Sequence, residues 1–346
     1  MTSATTAQRG AGEHNDPRWL RVLAIPTMVG IGALVAVQSQ LNGDLAGGLG
    51  GDATAGVAAA LVSFGGGFVL LCTAAAVSRP MRRGMASVRA AYRTGRLRAW
   101  HLLGGTAGAF LVAAQGLTVG TIGVALFTVA LVAGQTASGL GVDRAGVGPS
   151  GPRSLSVLRV LGAAVTVAAV GLSAAERFGG ADALSTAALA LALLPLVGGV
   201  GIAWQQAVNG QVSATGGPWA ATWVNFAVGT TWLTVAFLVA VVVHGPPDRL
   251  PSIWWLYLGG PIGVVFISAA AALVRVHGVL VLGLCVVCGQ VGASLVVDQL
   301  AGTTPLGTLT VVGAAITVLG VLLAGLGTRH RRPPRRAVQG VISDMR

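Results

Sequence analysis

Amide side chains occur at matching places in two apolar stretches of the sequence that lie far apart. The segments "QSQLNGDL" and "QQAVNGQV" begin at Gln38 and Gln205, and each glutamine stands four residues before an Asn-Gly pair. Glycine after an apolar helix is typical of a left-handed C-terminal cap, so each pair is expected to end a helix. The glutamine then lies one turn deeper, where an amide must face protein because hydrocarbon cannot satisfy it. It could contact either a substrate or only neighbouring helices. The predicted helix-end residues are Asn42, Gly43, Asn209 and Gly210.

A second pair of amides, Gln135 and Gln290, lies deeper in the apolar stretches. Each stands eight residues before an aspartate at the end of its stretch, which is about 12 Å of helix. Half of the hydrocarbon core measures about 15 Å, so both glutamines are predicted near the membrane midplane. Ser138 and Ser294 follow them on nearly the same faces. The pattern predicts a polar lining of a central cavity that binds a small molecule, or else hydrogen bonds that hold helices together.

Three aspartates at the ends of apolar stretches carry the titratable chemistry: Asp44, Asp143 and Asp298. The last two are interpreted either as residues that are solvated at the membrane interface or cap a loop, or as a gate or proton-coupling site, and Asp44 is a further coupling candidate. Trp204, beside Gln205, could stack on a substrate or belong to the aromatic belt at the membrane interface.

The groupings that catalysis requires do not occur in the sequence. None of the ten carboxylates lies deep within an apolar stretch, and the five histidines do not cluster with them. Cys285 and Cys288 lie inside an apolar stretch, where a metal or redox site would need accessible thiolates and further ligands. We therefore expect no enzyme, no cofactor and no metal site. The basic residues lack zinc-ligand spacing and interleaved aromatics, so no nucleic-acid partner is expected.

Composition indicates a membrane protein. The 346 residues are 54% hydrophobic and 9% charged, with 53 glycines and a mean hydropathy of +0.78. Apolar stretches of about twenty residues recur throughout, each long enough to cross a bilayer. We predict an all-α integral membrane protein with ten spans. They cover residues 20–40, 53–77, 99–117, 120–141, 156–174, 186–206, 218–243, 253–273, 277–297 and 305–327.

The arginines predict which side of the membrane each connection faces. All 22 basic residues are arginines. With the N-terminus in the cytoplasm, 20 of them lie on the cytoplasmic side, and only Arg177 and Arg249 lie outside. Seven lie in one loop between the second and third spans, from Arg79 to Arg98. Because cytoplasmic connections are enriched in basic residues, we predict a multi-pass protein of the cell membrane with both termini in the cytoplasm.

The polar motifs recur in the same order along both halves of the chain. "SFGGG" from Ser63 matches "NFAVG" from Asn225, and "WHLLGGTAG" from Trp100 matches "WLYLGGPIG" from Trp255. The sequence therefore predicts two copies of a five-span unit, and because five is odd the second copy is inverted in the membrane. Many secondary transporters have this plan, with the substrate site between the repeats. The predicted regions are a cytoplasmic tail (1–19), two repeats (20–175 and 186–327) and an arginine-rich cytoplasmic tail (328–346).

The motifs "QSQLNGDL", "GGTAGAF" and "GQTASGLGVDRAGVGP", the last from Gly134, resemble the YdcZ-like branch of the drug/metabolite transporter superfamily. The resemblance covers about residues 22–327, with weaker copies in the second half. It implies export of small molecules by alternating access. Some family members are single five-span units that pair in opposite orientations, and this chain resembles the fused form. Gln299 stands where the first copy has Arg144, which suggests that the halves are not functionally equivalent.

These features together predict a secondary transporter that exports a neutral or amphipathic metabolite or drug. The alternatives are a channel, a structural membrane subunit or a membrane enzyme. Without a deep carboxylate, proton antiport would have to use Asp44, Asp143 or Asp298, and uncoupled export is the other reading. The expected partners are the small-molecule substrate, the lipid bilayer and protons if transport is coupled, with a homodimer as a candidate assembly.

Overall fold

The computed structural model describes residues 18–149, 151–152, 155–177, 186–247, 250–302 and 307–326, and these residues form helices without strands. Short 3₁₀ helices at Ala99–Leu103 and Trp254–Leu258 precede the two longest helices. The α-helices are α1 (Arg18–Gly48), α2 (Ala53–Val77), α3 (Arg79–Arg93), α4 (Gly104–Ala145), α5 (Val157–Arg177), α6 (Thr186–Gly216), α7 (Pro218–His244), α8 (Gly259–Ala301) and α9 (Thr308–Leu326). The predicted tails, 1–19 and 328–346, lie outside the described residues except for residues 18 and 19, which belong to α1.

The apolar character of the helices and of their exposed surface indicates that the protein is embedded in a membrane. Three segments of the described chain are long and apolar enough to span a bilayer: Ala53–Val77, Ala99–Ala145 and Pro218–His244. Val77 and Val242 are 81% and 86% exposed. Such exposure of apolar side chains is unfavourable in water and favourable in lipid. Shorter apolar helical segments lie at Val157–Ala169, Trp254–Ala270, Cys285–Ala301 and Thr308–Leu323.

The helix α4 contains two of the predicted spans, and it breaks between them at Gly123. The backbone there has φ of 77° and ψ of 165°, a conformation that a side chain would strain and glycine accepts. The prediction put this connection four to five residues earlier, at residues 118–119. After the break, α4 is the most buried helix: Val124, Phe127, Val129 and Val132 are fully buried.

The helix α3 lies between the second and third predicted spans. The sequence predicts a loop there, and this prediction was wrong for Arg79–Arg93. Ser78 both ends α2 and accepts a hydrogen bond from the backbone N–H of Met81 at the start of α3. Met81, Gly84, Val88 and Ala91 form the buried face of this helix, at helical spacing. The helical spacing of these apolar residues is therefore visible in the sequence, between the arginines that indicate topology.

Glycines allow the helices of one half of the chain to cross those of the other half closely. A Cβ on Gly32 of α1 would collide with the carbonyl oxygen of Val286 in α8, and a Cβ on Gly199 of α6 would collide with that of Leu131 in α4. Gly199 lies 167 residues after Gly32, and Val286 lies 155 residues after Leu131. The same contact therefore occurs twice, with the halves exchanging roles.

A second pair of crossings repeats this exchange. A Cβ on Gly105 of α4 would collide with the backbone of Asn225 in α7, and a Cβ on Gly260 of α8 would collide with the backbone of Ser63 in α2. The rings of Phe64 and Phe226, which match one another in the two halves, contact each other with centroids 5.0 Å apart. Each half thus packs against the other through equivalent residues.

Candidate functional site

The two Asn-Gly pairs do not end helices, and this prediction was wrong. The helix α1 continues past Gly43 to Gly48, and α6 continues past Gly210 to Gly216. Neither glycine of the pairs has a positive φ. A Cβ on Gly43 would lie 2.9 Å from a methyl carbon of Val119, and one on Gly210 would lie 3.0 Å from the Pro149 ring. These glycines are therefore present for close packing, which competes with capping as a reason for glycine at this place.

The first "QxxxN" segment forms a buried polar cluster, here named the first cluster and made of Gln38, Ser39, Asn42, Ser63 and Gln115. Gln38 Nε2 donates to the carbonyl oxygen of Gly259, at the start of α8, at 2.7 Å. Asn42 Nδ2 donates to Gln115 Oε1 at 2.7 Å, and Gln115 Nε2 donates to Ser39 Oγ at 2.9 Å. All five residues are at most 5% exposed. The first cluster therefore links α1 to α4 and to the second half of the chain.

The second segment forms an equivalent cluster, here named the second cluster and made of Gln205, Asn209 and Asn225. Gln205 Nε2 and Asn209 Nδ2 both donate to Asn225 Oδ1 of α7, at 2.8 and 3.0 Å. The place of Gly259 is taken here by Gly104, at the start of α4, whose missing Cβ would lie 2.5 Å from Asn209 Oδ1. The repeated segments that begin at Gln38 and Gln205 thus each contact the other half of the chain.

Several buried polar atoms of these clusters have no hydrogen-bond partner in the described residues. They are Asn42 Oδ1, Ser63 Oγ, Gln205 Oε1 and Asn225 Nδ2. A buried amide or hydroxyl atom without a partner costs about 1–3 kcal/mol. Such atoms could be satisfied by a bound polar molecule, by water or by a different helix arrangement.

The deeper pair, Gln135 and Gln290, occupies the glycine crossings. The backbone N–H of Gln135 lies against Gly199, and that of Gln290 lies against Gly32. The Gln290 side chain is 4% exposed and that of Gln135 is half-buried. Within the described residues, neither side-chain amide makes a hydrogen bond, unlike those of Gln38 and Gln205. The helices α4 and α8, which carry these glutamines, pack together nearby, where Val132 and Val287 belong to one buried cluster.

The accompanying serines do not point to one shared role. Ser138 Oγ donates to the carbonyl oxygen of Val200 in α6 at 3.2 Å, which joins two helices. Ser294 Oγ donates to the carbonyl oxygen of Val291 in its own helix at 2.8 Å. Trp204 is half-buried on α6, beside Gln205. Ser138 thus fits the role of a link between helices, and Ser294 that of a satisfied buried hydroxyl.

The aspartates are engaged in structural contacts. Asp298 is 2% exposed, and its two carboxylate oxygens accept hydrogen bonds from the backbone N–H groups of Val124 and Ala125, at 2.7 and 2.8 Å. It therefore caps the helix that restarts after the break at Gly123, where the helix dipole favours a negative charge. The sequence predicts solvation at the membrane interface or a loop cap for Asp298, whereas this residue is buried and caps a distant helix.

The other two carboxylates have side-chain partners. Asp143 forms an ion pair with Arg159 of α5, whose side chain is 8% exposed while that of Asp143 is 34% exposed. Asp44 is exposed and accepts a hydrogen bond from Gln40 Nε2 at 2.7 Å. In the described part of the chain, no three His, Cys, Asp or Glu side chains are grouped as metal ligands would be.

A cavity of about 300 Å³ lies away from the predicted residues. It is lined by Leu49, Ala58, Leu61, Val62, Phe237, Pro247 and Leu250. Its lining is apolar, and it lies at the ends of α1 and α7. The glutamines and aspartates of the candidate site are not part of it.

Two residues central to the clusters, Gln115 and Asn225, were not among the predicted site residues. Gln115 is flanked by apolar residues of α4. Its amide, like that of Gln38, must therefore face protein because hydrocarbon cannot satisfy it. Asn225 belongs to the repeated "NFAVG" motif, which was used only to align the halves. Both signals were therefore available in the sequence.

The fold and the site define an all-helical membrane protein whose two halves contact each other through equivalent residues. A family model described as "Putative inner membrane exporter, YdcZ" matches residues 23–172 and again 190–323, one match in each half. The chain therefore belongs to this family, the YdcZ-like branch of the drug/metabolite transporters, in its two-repeat form. No curated protein matches the chain. Family membership makes the protein a membrane transporter.

Proposed function

We propose that the protein exports a small neutral or amphipathic molecule by alternating access, as a secondary transporter built of two inverted five-span repeats. The observation that carries the proposal is the exchange of equivalent contacts between the halves, seen at the Gly32 and Gly199 crossings. In inverted-repeat transporters, one arrangement of the halves opens the site to one side, and the exchanged arrangement opens it to the other.

The ends of the repeated helices support the inversion. A Cβ on Gly48, at the end of α1, would contact the Pro251 ring, between α7 and α8. Gly216, at the end of α6, packs on Gly84 of α3, between α2 and α4. Each helix thus ends beside the equivalent connection of the other half. With an odd number of spans in each half, these two ends lie on opposite sides of the membrane.

The arginine distribution supports the orientation. The exposed arginines of α3 lie beside the end of α6, so this end takes the cytoplasmic side in the proposed topology. The end of α1 then faces outward, and both chain termini lie in the cytoplasm.

The chemistry of the candidate site supports a substrate without strong charge. The polar groups without partners are amide and hydroxyl atoms, while Asp143 and Asp298 are held by Arg159 and by backbone N–H groups. A strongly cationic substrate would find no free carboxylate among these groups. We propose that Gln135 and Gln290 bind the substrate and that Gln38 and Gln205 hold the helices.

The same contacts indicate which carboxylate would carry the proton if transport is coupled to protons. Of the three candidate aspartates, Asp44 is exposed and Asp298 is buried, whereas Asp143 combines an ion-pair partner with partial exposure, so proton antiport would use the Asp143–Arg159 pair. The alternative is uncoupled export. An aqueous channel or a structural subunit would need no substrate-dependent change of conformation, and this difference is measurable.

The experiment begins with a thermal-shift screen of metabolites and drugs on the purified protein, followed by flux of each hit in liposomes. The proposal predicts saturable flux that is accelerated by unlabelled substrate on the opposite side, because a carrier returns faster when loaded. Flux that stays linear with concentration and ignores substrate on the opposite side would indicate a channel. Repeating the measurement with a pH gradient distinguishes antiport from uncoupled export.

A further inference from the structure

We propose that the exposed arginine face of α3 binds the phosphate headgroups of anionic phospholipids and holds this helix on the bilayer surface. The helix begins at Arg79, two residues after α2 ends at Val77. Val77 is 81% exposed at the end of a helix that is long and apolar enough to cross the membrane. The arginines of α3 therefore start where the apolar surface stops, at the depth of the lipid headgroups.

The opposite face of α3 is fixed to the protein. Met81 and Val88 are each 4% exposed and belong to buried clusters that include residues of α7. Gly84 lies directly on Gly216, where a Cβ on either glycine would collide with the backbone of the other. The helix consequently presents one constant face outward.

Four arginines of that outward face have no partner in the part of the protein that the structure describes. Arg79, Arg83, Arg89 and Arg93 are exposed, and within the described residues their side chains make neither a hydrogen bond nor an ion pair. At 3.6 residues per turn they fall within an arc of about 120°, opposite the buried residues. No acidic residue occurs from position 78 to position 103.

A fifth arginine, Arg82, serves the fold and is set apart from the proposed face. Its Nη1 donates to the carbonyl oxygen of Ala75 at 2.9 Å and to that of Ala76, at the end of α2. Cationic groups are favourable at that end of a helix. Substitutions that test lipid binding should therefore spare Arg82.

Charge and flanking residues favour lipid over other anions. Arg79 and Arg83, and Arg89 and Arg93, are spaced by four residues, so without counter-ions these pairs repel each other. Guanidinium groups bind phosphate with paired hydrogen bonds. Tyr92, next to Arg93 in the sequence, and Trp100, two residues after Arg98, are 48% and 36% exposed, and such aromatics are enriched at the membrane interface.

The test uses full-length protein in neutral detergent, titrated with phosphatidylglycerol or phosphatidylcholine, with bound lipids counted by native mass spectrometry. Near a membrane surface each arginine contributes about fivefold to the binding of anionic lipid. We expect the double variant Arg83→Gln and Arg89→Gln to lose roughly tenfold or more in affinity for phosphatidylglycerol, with phosphatidylcholine binding unchanged. A control that replaces Arg335 and Arg336 in the tail with Gln removes the same charge and should lose clearly less affinity than the α3 variant.

The double variant at Arg79 and Arg93 replaces the first one if that protein does not fold, as judged by its melting temperature in phosphatidylcholine. Unchanged phosphatidylglycerol affinity in the α3 variant would overturn the proposal, as would an equal loss in the tail control. Release of the lipid by millimolar inorganic phosphate would identify a site for free phosphate instead. Tighter binding of a short RNA duplex to the same arginines would identify a nucleic-acid surface.

Discussion

The amide side chains fall into two groups according to what they contact. Gln38 and Gln205 donate to Gly259 and Asn225, so each holds helices together across the packed interior. Gln135 and Gln290 have no side-chain hydrogen bond in the described residues, although Gln290 is buried and Gln135 is half-buried. In the proposed transporter the first group provides stability and the second provides recognition.

This division predicts opposite effects of the same substitution. Gln135→Leu and Gln290→Leu should weaken substrate binding by about 1–3 kcal/mol, because a polar group of the substrate loses its partner. Their melting temperatures should change little. Affinity and melting temperature are measured together for each purified variant.

Gln38→Leu is the matched control, since it removes a buried amide of the same size that is bonded to protein. It should lower stability, typically by about 0.6 kcal/mol and up to about 1.7 kcal/mol in membrane proteins. Its substrate affinity should stay near that of the wild type. If Gln135→Leu and Gln290→Leu instead melt lower and bind substrate normally, these glutamines are structural.

The cap formed by Asp298 makes a second prediction about single residues. Asp298→Asn should destabilise the protein by about 1–3 kcal/mol, because asparagine has one acceptor oxygen for the two N–H groups of Val124 and Ala125. The melting temperature of the variant reports this loss. Asp52→Asn is the control: Asp52 accepts one hydrogen bond, from Ala55, and asparagine caps equally well. Equal stability of the two variants would show that Asp298 is no helix cap.

At this scale the sequence predicts which residues are polar in an apolar setting, but not their partners. The prediction that Gln38 faces protein needs only the cost of an amide in lipid. Its bond to Gly259 depends on a residue 221 positions away, which the sequence pattern does not specify. The sequence likewise predicts an interfacial or loop-capping role for Asp298, while its role as the cap of the helix at Val124 follows only from the packing.

At the scale of elements, glycine decides where helices cross. Gly32 and Gly30 lie in the same helix, but a Cβ on Gly32 would collide with the backbone of Val286, while one on Gly30 would meet nothing within 4 Å. Gly32→Ala should therefore destabilise the protein by about 1–3 kcal/mol, through forced separation of α1 and α8.

Gly30→Ala serves as the control for helix propensity and should leave stability unchanged or raise it by up to about 1 kcal/mol. Gly199→Ala should lose as much as Gly32→Ala, because its crossing with α4 is equivalent. Thermal unfolding in detergent measures all three variants. Equal melting temperatures of the Gly30 and Gly32 variants would contradict the assigned crossing.

Helix positions are largely predictable from apolar stretches, whereas helix ends are not. The predicted second span, 53–77, coincides with α2, but the predicted end of the first span at residue 40 falls eight residues before α1 ends at Gly48. Glycine both caps helices and lets them pack closely, and Gly43 does the latter against Val119. The sequence alone does not distinguish these two uses.

At the scale of the whole molecule, the halves share their packing but differ in their polar content. Gln115 joins Asn42 to Ser39 in the first half, and the position 155 residues later is Ala270. The first cluster therefore has a link to α4 that the second cluster lacks at the equivalent place. If alternating access exchanges the arrangements of the halves, the two end states differ in energy for this reason.

The inverted orientation of the two halves is tested by the side of the membrane on which two matched positions lie. Gly47 at the end of α1 and Ala214 at the end of α6 are exposed and lie 167 residues apart, at equivalent places of the two repeats. Single cysteines are introduced there after Cys72, Cys285 and Cys288 are replaced by serine. Intact and permeabilised cells are then treated with a membrane-impermeant maleimide.

The inverted arrangement predicts that Gly47→Cys reacts in intact cells, while Ala214→Cys reacts only after permeabilisation. Arg89→Cys, on α3 beside the end of α6, should behave like Ala214→Cys. Reaction of both matched cysteines from the same side would place the two halves in parallel orientation and contradict the account.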